Sequence, residues 1–194
     1  MSAGQMQRIS RRMRPRLAEF AGDRRGLAAV EFAMVVPLML VMFFGVVEFS
    51  SGVAVDRKVT LVARTLSDLT SQSTSVTDTD IAGFIITANA ILTPYSATPL
   101  RATITELYID PLTHAARVQW SKGSAPRAAG SPVSIPAALR IDGTYLIFSE
   151  VSYLYVPTVG YVMARSGITL SDFSYTRPRQ SSCVLYSTTV CPTT

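Results

Sequence analysis

The sequence predicts an α+β chain: a long N-terminal transmembrane helix continuing into a small domain with a short helix and an antiparallel sheet of about four strands. Three observations carry that reading. The run Leu27–Val47 is apolar apart from one charge, Glu31; helical spacing of apolar residues persists beyond it to about Thr70; and after Pro99 the spacing changes to two.

The apolar run, LAAVEFAMVVPLMLVMFFGVV, has 21 residues. At the usual rise this is ~32 Å of helix, enough for a hydrocarbon core of ~30 Å. A cleaved secretory signal has an apolar core of roughly 7–15 residues followed by a small-x-small cut site. Here Glu48 follows the run, and the small residues Ser50, Ser51, Gly52 and Ala54 come only after it, so the segment reads as retained. Pro37 falls in mid-helix, where it removes one backbone hydrogen bond. Lipid-embedded helices tolerate this, as a plain membrane proline or as a functional bend.

Past the run, Val55, Val59, Val62, Leu66 and Leu69 recur at steps of four and three, with Asp56, Arg57, Lys58, Arg64 and Asp68 on other faces. One helix therefore leaves the bilayer and packs a stripe on the domain, ending near Thr70, where a polar Ser/Gln/Thr stretch begins. Thr77 to Asp80 supply N-cap candidates for a second helix of about residues 80–92, closed by Pro94. Ala102–Asp110 and Ala116–Ser121 are β-rich runs joined by Pro-Leu-Thr-His, which predicts a hairpin. Residues 122–136, rich in Gly, Ser, Pro and Ala, read as loop. Thr144–Val156 is apolar on both faces, which places it inside the sheet, and Ile168–Thr176 gives a fourth strand. The domain organisation is then 1–26 a basic leader, 27–47 the transmembrane helix, and 48–194 an extracytoplasmic α+β domain.

The net charge of +5 resembles a nucleic-acid signal until it is located. Residues 1–26 carry seven arginines against Glu19 and Asp23, leaving eleven basic and eleven acidic residues in the rest of the chain. A basic segment abutting an apolar run is the cytoplasmic flank of a membrane helix. The balanced remainder shows no basic patch with interleaved aromatics, so no nucleic-acid partner is inferred. Cys183 and Cys191 lie eight positions apart in a Ser/Thr-rich tail. Outside the cytoplasm they can close a disulfide loop; free thiols remain the alternative. Two thiols and one distant His114 make no four-ligand zinc site, and neither a metal nor another cofactor is inferred.

Enzymatic chemistry finds little support. His114 is the sole histidine and sits in a turn, and neither a nucleophile elbow nor a phosphate-binding glycine loop occurs. Asp78 and Asp80 read as helix caps. Tyr145, Tyr153, Tyr155 and Trp120 could line a groove, but strand aromatics are usually core or cross-strand pairs. No small-molecule substrate is inferred and no catalytic residue is assigned.

The most specific local feature is Arg24-Arg25-Gly26-Leu27-Ala28-Ala29-Val30-Glu31-Phe32. Arginines, a glycine, four small or apolar residues and then Glu-Phe opening an apolar helix resemble the prepilin junctions of the Flp/Tad class of type IV pilins and pseudopilins. Further stretches narrow the likeness: Asp56-Arg57-Lys58, residues 63–69 (ARTLSDL), residues 149–157 (SEVSYLYVP) and residues 175–179 (YTRPR). Together they are similar to the TadE-like family of the tight-adherence secretion system, small single-pass proteins described as minor pilins or pseudopilins. Major Flp pilins are far shorter, so the soluble domain fits a tip, priming or assembly role better than a bulk fibre subunit.

The resemblance implies a cut after Gly26 by a membrane prepilin peptidase, with Arg24, Arg25, Gly26 and Leu27 forming the cleavage site. It implies that Glu31 and Phe32, fifth and sixth in the mature chain, set register among neighbouring subunits, Glu31 pairing with a neighbour's α-amino group. It further implies a bacterial inner-membrane location with the N-terminus cytoplasmic, the domain periplasmic, other Tad-system pilins as partners, and incorporation into an adhesive pilus. The chemistry is consistent: glycine lets a peptidase backbone approach closely, and a carboxylate one turn inside an apolar helix is costly unless paired or snorkelling to the interface. An unprocessed membrane-anchored binding or sensor module is the rival reading.

Overall fold

The computed structural model describes residues 25–157, 167–187 and 191, and the chain divides into two compact units, Met1–Val47 and Glu48–Thr194. Helix α1 (Arg25–Ser71) belongs to both and continues through Pro37. In the first unit its described apolar side chains are nearly all exposed, Phe32, Met34 and Met39 among them. In the second, Val55, Val59, Val62, Ala63 and Leu66 are fully buried.

Local chemistry ends α1. Thr70 Oγ1 donates to Leu66 O at 2.8 Å and Ser71 Oγ to Asp68 O at 2.7 Å, so hydroxyls compete for the last carbonyls of the helix. Strand β1 (Ser75–Val76) leads into helix α2 (Asp78–Ile91), which opens with a capping box. The Asp80 N–H donates to Thr77 Oγ1 at 3.3 Å and the Thr77 N–H to Asp80 Oδ2 at 2.8 Å. Lys58 of α1 donates from Nζ to Ile91 O at 2.7 Å and to Thr93 O at 2.8 Å, satisfying carbonyls that the end of α2 leaves without a helical partner.

The sheet comprises β2 (Leu100–Ile109), β3 (Ala116–Gly123), β4 (Pro132–Val133), β5 (Tyr145–Tyr155) and β6 (Ile168–Thr176), all antiparallel, in the order β4-β3-β2-β5-β6. The α+β class holds, with five strands where the sequence predicts about four. The extra strand, β4, lies in the segment read as loop. Two residues carry no periodic signal, and β4 exists because Val133 pairs with Ala116 and packs on a core below the sheet. The Ser/Thr-rich tail also contributes β7 (Leu185–Tyr186), parallel to β1.

The sheet is covered on both faces. One face buries Ile104, Trp120, Ile147, Val151, Tyr153 and Tyr155 among residues of α1 and α2. The other buries Leu107, Ile109, Val118, Leu146 and Phe148 under Ile135, which precedes a 3-10 turn (Ala137–Leu139). Val118 and Trp120 would share a face in a regular strand. Glu106 pairs with Trp120 and Leu107 with Val118, so a bulge at Gln119 sends them to opposite cores.

Candidate functional site

The junction singled out by the sequence lies at the start of α1. Arg24 falls outside the described residues; Gly26, Leu27, Glu31 and Phe32 are helical and exposed, as are the small residues Ala28, Ala29, Ala33 and Gly45. A Cβ built on Gly26 would meet no atom within 4 Å. Packing among the described residues therefore does not require glycine at 26, and a helical glycine costs about 1 kcal/mol relative to alanine. Only one described helix, α1, is long and apolar enough to cross a membrane, and its apolar surface between Leu27 and Val47 is open to any lipid or helix that approaches it.

The aromatic strand residues are structural. Trp120, Tyr145, Tyr153 and Tyr155 are buried, and Tyr108 and Tyr145 form a cross-strand pair with ring centroids 4.9 Å apart. His114 occupies the β2–β3 turn with φ of 56° and its Nδ1 lies 2.8 Å from exposed Asp142. Asp80 serves in the α2 cap, and Asp78 lies 3.5 Å from Lys122. Among the described residues, no group of three or more His, Cys, Asp or Glu could hold a metal ion.

The C-terminal segment is anchored by groups that sequence reasoning missed. Val184 is fully buried; its N–H donates to Glu106 Oε1 at 2.6 Å, and its carbonyl accepts from Trp120 Nε1 at 2.8 Å. Burial pushes the Glu106 carboxyl up to about 7, against the opposing pull of the Val184 N–H and of Trp120. Glu106 lies in an alternating strand where a solvent-facing acid is the ordinary expectation, so no sequence signal marked it. Next to Val184, Cys183 and Cys191 have Cα atoms 6.2 Å apart, within the span of about 4.4–6.8 Å that a disulfide bridges.

Within the second unit, a cleft of about 430 Å³ is lined by Glu48, Phe49, Gly52, Val53, Asp56, Tyr155, Pro157, Ile168 and Leu170. Tyr155 OH donates to Glu48 Oε2 at 3.2 Å, and a Cβ on Gly52 would lie 3.6 Å from the Tyr155 ring. The last residue of β5 is thereby fixed beside the helical residues that follow Val47 in the chain.

No curated protein and no solved structure matches the chain. A family model does: that of TadE-like proteins, over residues 26–67. The match begins at the glycine of the junction and runs through the apolar helix into the stripe packed on the sheet. Across that segment the chain is similar to TadE-like proteins, the family its motifs resemble.

Proposed function

We propose that this chain is a minor pilin or pseudopilin that takes part in assembling a Flp/Tad type IVb pilus, processed by a prepilin peptidase after Gly26. The observation that carries the reading is the TadE-like match starting at Gly26 and covering a helix whose apolar side chains are exposed up to Val47. Such a surface needs lipid or other apolar helices around it, and a subunit that passes from a membrane into a helical bundle meets both in turn.

In this account the arginine-rich leader stays cytoplasmic, Arg24 and Arg25 flank the cut, and Leu27 becomes the new N-terminus. Glu31 then pairs with a neighbouring subunit's freed amine, and Ala28, Ala29, Ala33 and Gly45 allow close helix contact. The domain faces the periplasm and contacts other subunits.

Mass spectrometry of the N-terminus in cells containing the peptidase tests the central step. A chain beginning at Leu27 is expected; an intact Met1 favours the unprocessed sensor or binding module instead. Gly26→Ala is expected to retain the leader. Glu31→Ala is expected to permit cleavage but impair piliation, and normal pili from that variant remove the register role.

A further inference from the structure

The bottom of the domain carries apolar side chains on both faces of the sheet. On the α1 side, Ile168 pairs with Tyr155 across β5–β6, and both line the cleft with Phe49 and Val53. Ile168 and Phe49 are well exposed, at 58% and 74%. On the opposite face, Leu154 and Val156 are exposed and converge, since a Cβ on Gly167 would lie 3.1 Å from a methyl of each. Farther up that face Ser152 and Glu150 on β5 and Ser171 on β6 separate this end from Phe173, which packs edge-on against Phe148 and Tyr175. Phe49, Leu154, Val156 and Ile168 wrap both faces of this end of the sheet and belong to neither core.

Covalent geometry says what lies next to it. Glu48 follows Val47, the last residue of the apolar run, so their Cα atoms are about 3.8 Å apart whatever the arrangement of the two units. Tyr155 is hydrogen-bonded to Glu48, and Gly52 against the Tyr155 ring is only about 7.5 Å of helix beyond Val47. The polar zone of a bilayer is about 5–8 Å deep on each side. If Leu27–Val47 fills the hydrocarbon core, Tyr155, Phe49 and Ile168 are held at headgroup depth. A tyrosine whose hydroxyl donates to a carboxylate while its ring packs on apolar neighbours suits that zone, where amphipathic rings concentrate.

We propose that the β5–β6 end of the domain rests on the bilayer that α1 spans, with Phe49, Leu154, Val156 and Ile168 in the lipid boundary. The occupant is the headgroup and upper acyl region of phospholipid. The contact sets the domain's height and tilt on the membrane and keeps the apolar end covered until the helix is withdrawn. This rests on the membrane-anchored reading of α1.

The test uses the full chain in vesicles of phosphatidylcholine and phosphatidylglycerol containing lipids brominated high on the acyl chain, with tryptophan emission as readout. Native Trp120 is buried and gives a constant background. Ile168→Trp is compared with Val41→Trp in the anchor and with Leu112→Trp, which is 90% exposed in the β2–β3 turn at the other end of the sheet. The expected result is loss of emission from Ile168→Trp and Val41→Trp and none from Leu112→Trp. Quenching of Val41→Trp alone overturns the apposition while leaving the anchor standing. Ile168→Trp emission that escapes quenching but shifts to the blue with rising protein density assigns the patch to a second copy and likewise overturns it. An unquenched Val41→Trp overturns the anchor reading itself.

Discussion

The two halves of α1 place the same residue type in opposite surroundings. Val30, Val41 and Val46 are 58%, 66% and 61% exposed, whereas Val55, Val59 and Val62 are fully buried. Both halves are helix, so propensity does not distinguish them. What does is pattern. Before Glu48 the apolar residues encircle the helix, and no sheet in one chain can cover every side; after it they form one stripe, opposed by Asp56, Arg57 and Arg64, and a single sheet face covers them. A helix apolar all round must find its solvent elsewhere, while a striped one finds it within its own domain.

Substitutions can break this contrast. The largest effect is expected in the stripe: Leu66→Ala should cost about 3 kcal/mol through lost burial and a residual cavity, lowering the domain's Tm by roughly 10 °C. Leu38→Ala, in the exposed half, should leave that Tm unchanged. Thermal unfolding of the detergent-solubilised chain, followed by near-ultraviolet circular dichroism, checks both.

A comparable effect should follow from pH alone. Glu106 holds its proton more tightly folded, at about 7, than its ordinary value of 4.5. The folded state therefore binds more protons between those values, and stability falls as pH rises through that window. The stabilisation is full below about 4.5 and lost above about 7, amounting to roughly 3 kcal/mol. Glu106→Gln, which can still accept from the Val184 N–H, should flatten that segment of the stability profile in urea titrations between pH 5 and 8. A slope that survives the substitution assigns it to another group.

The smallest expected effect lies at the α2 cap. Thr77→Ala removes the acceptor for the Asp80 N–H and should cost about 1 kcal/mol, whereas Thr77→Ser should cost far less. Equal losses from both would point to packing of the threonine methyl instead of the cap.

Long elements with strong periodicity were legible in the sequence. The apolar run, the Val55-to-Leu66 stripe, an α2 cap somewhere among Thr77 to Asp80 and strands over Thr144–Val156 and Ile168–Thr176 all rest on spacings that local geometry dictates. The short pieces were not. β1, β4 and β7 have two residues each, and whether such a dipeptide forms a ladder depends on a partner distant in the chain. The burial of Glu106 was hidden for a related reason: the group that receives it, the Val184 N–H, lies 78 residues away. At the candidate site, residue types around Gly26 and Glu31 were readable because the junction is local. The apolar end formed by Phe49, Leu154, Val156 and Ile168 was not, because it exists only once β5 and β6 pair beside α1.

The exposed apolar surface of Leu27–Val47 calls for lipid as its solvent. Alkaline extraction of membranes from cells producing the full chain tests it most directly. The chain is expected to remain in the membrane pellet and to enter the supernatant only with detergent; release by alkali alone would contradict the account.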